Sequence, residues 1–177
     1  VGAGNMGSGI AQKIATEGIE VTLIDQSLEQ AEGGKQRIEQ LLVEALERRI
    51  FSGDQVDAIL ARIHPAGSLD AAADAALVVE AVFEDLEVKR DTFKALADAC
   101  GPDTLLATNT SSFLVSQLAS VTPNPERVLG LHYFYHPAKN RLVEVIGHEG
   151  TDPVALRTAW AFQERIGKTP IASKDSP

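Results

Sequence analysis

An α/β fold with a doubly wound, mostly parallel sheet is the class this sequence predicts, and three observations point to it. Gly2-Ala3-Gly4-Asn5-Met6-Gly7 fits the G-x-G-x-x-G turn that leads a strand into a helix. An acid, Asp25, closes the next strand-like run, about 20 residues after the glycines. Short apolar runs then alternate with helical segments to the end of the 177 residues, the pattern of βαβ units. The architecture expected is therefore Rossmann-like, occupying 1–177 as one domain.

The elements follow in order. After the glycines, Ile10, Ile14 and Ala15 keep helical spacing up to Gly18, and Glu20 to Ile24 reads as a strand. Ser27 is a plausible N-cap for a helix that runs through Leu28, Ala31, Ile38, Leu42 and Leu46 to about Ile50. Gly33-Gly34 is expected to bend or weaken its first turns. A second helix starts at Ser52-Gly53-Asp54 and ends before Pro65. This helical pair is an insertion after strand two, counting as first a strand expected upstream of Gly2. Ala76 to Val82 is a continuous apolar run suited to a buried parallel strand, followed by a charged helix from Glu87 to Ala99 and a strand at Leu105 to Thr108. A short helix, Phe113 to Ala119, precedes a strand from Val128 to Phe134 and another from Leu142 to Ile146. The loop between these last two is too short for a parallel crossover, so they should form an antiparallel hairpin. A helix from Pro153 to Ile166, with Trp160 expected in the core, and a final strand at Thr169 to Ala172 complete the pattern.

Composition narrows the function. Hydrophobic content of 44% and the length allow one domain with a full core. A net charge of −9 argues against nucleic acid as a partner. No apolar run reaches membrane-spanning length, so no membrane is expected. The single cysteine, Cys100, excludes an intrachain disulfide and suits a cytoplasmic protein. Only Val1 stands where a central strand should precede the glycines, and Lys174 to Pro177 reads as a turn, so further chain is expected at both ends.

Chemistry concentrates at three places. In the glycine turn, Gly2 makes the tight bend, Gly4 lets backbone approach a pyrophosphate, and Gly7 lets helix and strand pack closely. Asp25 stands where an NAD ribose offers its hydroxyl, so NAD is the cofactor expected. Asn109-Thr110-Ser111-Ser112 follows a parallel strand at its carboxyl end, where ligands bind, and capping alone accounts for only one or two of the four. The hairpin brings His132 and Glu144 within hydrogen-bonding reach, and a carboxylate that fixes the tautomer makes that histidine a better base. His64, His136 and His148 have no facing carboxylate and are expected at the surface. Arg48, Arg49 and Arg62 on the inserted pair could hold substrate, although a solvated charged face accounts for each more simply. No metal ligand set is expected.

Four motifs together resemble the NAD-binding domain of the 3-hydroxyacyl-CoA dehydrogenases: Gly2 to Gly7 with Asp25, Val79-Glu80-Ala81-Val82-Phe83-Glu84 with Lys89, Asn109 to Ser112, and His132 with Leu142-Val143-Glu144-Val145. The resemblance implies NAD-dependent oxidation of the 3-hydroxyl of an acyl-CoA, or the reverse. It casts His132 as base, Glu144 as its orienting partner, Ser111 as donor to the reacting oxygen and Asn109 beside it. Asn5 and Met6 join the glycines at the cofactor, and Glu84 and Lys89 match positions lining the nicotinamide ribose. It also implies a helical C-terminal domain after residue 177 and a homodimer. The family usually has His-Phe-Phe-Asn-Pro where this chain reads His132-Tyr133-Phe134-Tyr135-His136-Pro137. An altered substrate preference is expected from that departure. Other readings that fit a similar glycine turn are a β-hydroxyacid dehydrogenase acting on a free acid and a non-catalytic NAD-binding protein of the same fold.

Overall fold

Most of the long helices begin at a side chain that satisfies their first free amides. Ser27 Oγ accepts from the Gln30 amide at the start of α2 (Leu28–Glu47), and Ser52 with Gln55 forms a capping box on α3 (Gly53–Ala61). Asp85 accepts from the Glu87 and Val88 amides of α4 (Leu86–Ala99), and Asp152 from the Val154 amide of α6 (Pro153–Arg165). Helix α1 (Asn5–Thr16) has no side-chain cap, and the short α5 (Val115–Ala119) takes its cap from a distant residue, the Val115 and Ser116 amides donating to the Asp175 carboxylate at 2.6 and 3.0 Å. The computed structural model describes residues 1–176, so Pro177 of the expected terminal turn lies outside the described residues.

Five strands form the larger sheet, in the order β3 (Leu77–Glu80), β4 (Leu105–Thr108), β5 (Val128–Tyr133), β6 (Leu142–Gly147) and β7 (Thr169–Lys174). The first three are parallel, β6 runs antiparallel to β5 as the short connection requires, and β7 lies parallel to β6 after the α6 crossover. A second sheet pairs β1 (Val21–Ile24) with β2 (Ile63–Ala66), also in parallel.

Strand β2 is a correction to the sequence reading, which ended the inserted helical pair at Pro65 and placed no strand there. Four residues containing a proline give no strand signal, yet the position is an edge, where proline's missing N–H leaves no bond unmade. Gly33-Gly34 is a second correction. Helix α2 continues unbroken through both, and Gly34 is small for packing, since a Cβ on it would come within 2.7 Å of the Ala3 Cβ.

Alternate residues along the strands feed two apolar layers. Leu129, Leu131 and Tyr133 pack with Ile10 and Ile14 of α1 and Ala159 of α6, while Leu106 and Val128 pack with Phe93 of α4 and Leu118 of α5. Helices α2 and α3 cover the β1–β2 pair through Ile38, Leu42, Val56 and Ile59. Trp160, expected in the core, packs against the first of these layers while staying partly buried, its indole N–H donating to Glu164 at 3.1 Å.

The two sheets are bridged at one point. Val1 bonds both ways to β3 and its continuation, its nitrogen to the Val79 carbonyl (2.7 Å) and its carbonyl from the Ala81 amide (2.8 Å), while the Gly2 amide reaches Ile24 of β1 (2.8 Å). Below that bridge the facing edges of β1 and β3 enclose a slot of about 650 Å³ lined by Ile10, Ile14, Leu23, Val79 and Phe162.

Candidate active site

The glycine turn sits at the carboxyl ends of β1 and β3. Gly2 has φ +90°, and a Cβ there would come within 2.5 Å of the Ala81 carbonyl oxygen; a Cβ on Gly7 would overlap the Gly2 carbonyl oxygen. Nothing lies within 4 Å of where a Gly4 Cβ would stand, so this middle glycine is open to an incoming group. With no side-chain cap on α1, the first-turn amides around Asn5 and Met6 and the positive end of the helix face that opening. Asp25 fixes the turn from below, its Oδ2 accepting from the Ala3 amide (2.6 Å) and its Oδ1 from the Gln26 amide (2.7 Å). Arg37 of α2 donates to the Ala3 carbonyl from the other side. These features fit a dinucleotide: open backbone at the pyrophosphate position and a carboxylate next to it.

Beside the turn runs a buried ionic network. Glu80, 0% exposed at the end of β3, accepts from Lys89 Nζ (2.7 Å), Thr108 Oγ1 (2.8 Å) and the Val82 amide (2.7 Å). Lys89, 1% exposed, also meets Glu84 Oε2 (3.1 Å) and the Val82 carbonyl (3.4 Å), so protein atoms enclose it. Glu84 is the member that faces outward. Its Oε1 accepts from the Thr110 hydroxyl and from the Ser111 amide (3.2 Å). Burial acts to raise the Glu84 carboxyl, but the Thr110 hydroxyl, the Lys89 ammonium and the Ser111 amide outweigh it and hold the group below the usual carboxylate range. The network thus ties the loop after β4 to the loop after β3.

The loop after β4 turns Asn109 toward β5. Asn109 Oδ1 accepts from the Tyr133 amide (2.9 Å), one residue past His132, and Ser111 is exposed with its hydroxyl 3.4 Å from that of Ser112. His132 and Glu144 are register partners across the β5–β6 pair, and His132 Nδ1 lies 2.7 Å from Glu144 Oε2. An anionic carboxylate can only accept here, so Nδ1 carries the proton and Nε2 keeps a free lone pair. The Phe134 ring packs at 4.6 Å from the imidazole.

The carboxyl edge of this sheet therefore carries an open glycine turn, a hydroxyl-bearing loop and an oriented imidazole at the ends of β3, β4 and β5. A family model described as the 3-hydroxyacyl-CoA dehydrogenase NAD-binding domain matches residues 1–176. The chain belongs to the 3-hydroxyacyl-CoA dehydrogenase family. Among its relatives, a probable 3-hydroxybutyryl-CoA dehydrogenase of Bacillus subtilis is 37% identical over 99% of this chain and 61% of its own length. The fatty acid oxidation complex subunit alpha of Shewanella amazonensis is 38% identical over 99% of this chain and 25% of its own. The solved (S)-3-hydroxybutyryl-CoA dehydrogenase of Ralstonia eutropha superposes with a TM-score of 0.97 at 32% identity, covering all of this chain and 62% of that one. The chain thus spans about three fifths of the 3-hydroxybutyryl-CoA dehydrogenase of B. subtilis and a quarter of the oxidation-complex subunit.

Three features of this family member were not read from sequence. Glu80, Thr108 and Thr110 form the network above, and a signal existed, since Glu80 is a charge inside the apolar run Ala76 to Val82 and a buried charge demands a partner. The histidines are a correction. His64 is exposed but does face a carboxylate, Glu20, at 2.6 Å. His136 and His148 are half-buried instead of exposed: His136 accepts from the Ala138 amide, while His148 accepts from the Gly150 amide and meets the Pro125 carbonyl with its other nitrogen. Among the described residues no helix is long and apolar enough to cross a membrane.

Proposed function

We propose that the chain is the cofactor-binding part of a dehydrogenase that oxidises the 3-hydroxyl of a 3-hydroxyacyl-CoA to the ketone, or runs the reverse reduction. The observation that carries this reading is the 2.7 Å contact of His132 Nδ1 with Glu144 Oε2, at the sheet edge that also holds the glycine turn. His132 Nε2 takes the hydroxyl proton as the C3–H bond breaks. Glu144 keeps the imidazole in the needed tautomer and offsets the charge of the imidazolium. The Ser111 hydroxyl donates to the oxygen as it becomes a carbonyl, and Asn109 holds the Tyr133 backbone and hence the strand end that carries the base. NAD, when bound, supplies the hydride acceptor.

Gly2, Gly4, Asn5, Met6 and Gly7 form the pyrophosphate cradle, and Asp25 takes the adenosine ribose. Glu84 lines the nicotinamide ribose while Lys89 acts through it, holding the carboxylate in place. The relatives' names, 3-hydroxybutyryl-CoA dehydrogenase above all, support a short acyl-CoA as substrate. In the full-length protein we propose a homodimer in the cytoplasm. The slot between β1 and β3, with an unpaired edge on each side, fits one further apolar parallel strand that runs into Val1.

The test is NADH formation by the full-length protein from 3-hydroxybutyryl-CoA and from free 3-hydroxybutyrate. A preference for the thioester of about 100-fold or more in kcat/KM is expected, and equal rates would sink the acyl-CoA assignment in favour of a free hydroxyacid.

A further inference from the structure

The loop joining β5 to β6, residues 134 to 141, has no regular structure yet is held on three sides. Within it the Lys139 and Asn140 amides both donate to the His136 carbonyl (2.9 and 2.8 Å), and the Leu142 amide donates to Asn140 Oδ1 (3.0 Å). Against α1 it lies so close that a Cβ on Gly9 would come within 2.8 Å of Pro137 Cδ and 3.2 Å of His136 Cε1. On the third side stands Lys168, in the turn between α6 and β7. Its Nζ donates to the Pro137 carbonyl and to the Asn140 carbonyl (2.7 Å), and it lies 5.3 Å from the centre of the Tyr133 ring.

Lys168 is 4% exposed and has no carboxylate partner among the described residues; Glu17 of α1 pairs with Lys13 instead. Burial, with Lys13 nearby, lowers the Lys168 ammonium to about 8. Two carbonyl dipoles and a ring face replace the water it gives up, but an apolar side chain of the same length would fill this space without any desolvation. A cation is therefore not what the core alone calls for. It supplies a fixed point for two carbonyls that lie three residues apart in an otherwise irregular loop.

We propose that Lys168 is a positioning residue for the reaction: by clamping the Pro137 to Asn140 loop and the Tyr133 ring, it holds His132 in register with Glu144 and beside the first turns of α1. The path is short. Tyr133 follows His132 directly, its amide held by Asn109 and its ring by Lys168, while the clamped loop rests on Gly9, two residues past the last glycine of the turn. Lys168 thus couples the strand of the base to the helix of the cofactor turn. Misplacing a reacting group by about 1 Å costs on the order of 100-fold in rate, so a loosened loop appears in turnover before it appears in binding.

The proposal rests on His132 as base, and its test separates the two ideas. In Lys168→Met, in the full-length protein, the amides of Lys139, Asn140 and Leu142 should exchange with deuterium about ten-fold faster while those of α1 and β4 keep wild-type rates. NAD affinity should stay within about two-fold, and kcat should fall about ten- to 100-fold with a smaller change in KM. Loop amides as protected as in wild type would overturn the proposal. So would an opened loop with unchanged kcat. If the wild-type protein has no hydroxyacyl-CoA activity, the functional reading fails, and the exchange rates alone then decide whether Lys168 clamps the loop. Should Lys168→Met not fold, Lys168→Gln, which keeps a donor near the two carbonyls, carries the same comparison.

Discussion

Replacing Lys89 by methionine leaves the length of the side chain and removes the cation paired with Glu80 at 2.7 Å. The Glu80 carboxylate, 0% exposed, then keeps two neutral donors, the Thr108 hydroxyl and the Val82 amide, for a full buried charge. Breaking one side of such a pair costs about 3–5 kcal/mol, a large share of the roughly 5–15 kcal/mol that holds a domain folded. Urea unfolding followed by the fluorescence of Trp160, the single tryptophan, measures the loss. The double variant Glu80→Gln with Lys89→Met should recover part of the loss, with a coupling of about 1 kcal/mol or more. A loss below about 1 kcal/mol would refute the view that these two side chains form a paired buried charge.

Other outcomes follow from the same geometry. Gly7→Ala places a methyl group on the Gly2 carbonyl, so NAD affinity by titration should drop about ten-fold or more while the fold survives; unchanged affinity would mean that the turn does not cradle the cofactor. Thr108→Val removes the bond to Glu80 and the acceptor of the Thr110 amide, and should cost about 1–3 kcal/mol in urea unfolding. Glu84, held below its unfolded value of 4.5, contributes stability that is full above that value and is lost as pH falls through its lower folded one. Glu84→Gln should therefore flatten the loss of stability in acid, and a profile identical to wild type would contradict the ties drawn to Thr110 and Lys89.

The sequence carried the fold well where a local signal and tertiary packing agreed. Ser27, Ser52 and Asp85 cap helices that begin within a residue or two of where spacing alone put them, and the short connection after β5 forced an antiparallel partner, which aligned His132 with Glu144. It failed where packing decides alone. Strand β2 is an edge strand held by its β1 neighbour and by Ile63 in the core, with Pro65 masking any local preference. The role of Lys89 was half legible: motif matching put it at the cofactor, whereas only coordinates reveal that Glu80, 0% exposed, claims it first. Lys168 gave no signal at all, because a lysine after a helix-ending glycine reads as surface until the loop above it is seen.

The most direct measurement is made on His132→Gln in the full-length protein, which keeps the size of the side chain and removes the base. NAD binding within about two-fold of wild type, together with a fall of about 100- to 10,000-fold in kcat for 3-hydroxybutyryl-CoA, is the result expected of an imidazole that takes the substrate proton. Turnover close to wild type, with the cofactor bound as before, would show that the proton leaves by another group and that the His132–Glu144 pair only braces the hairpin.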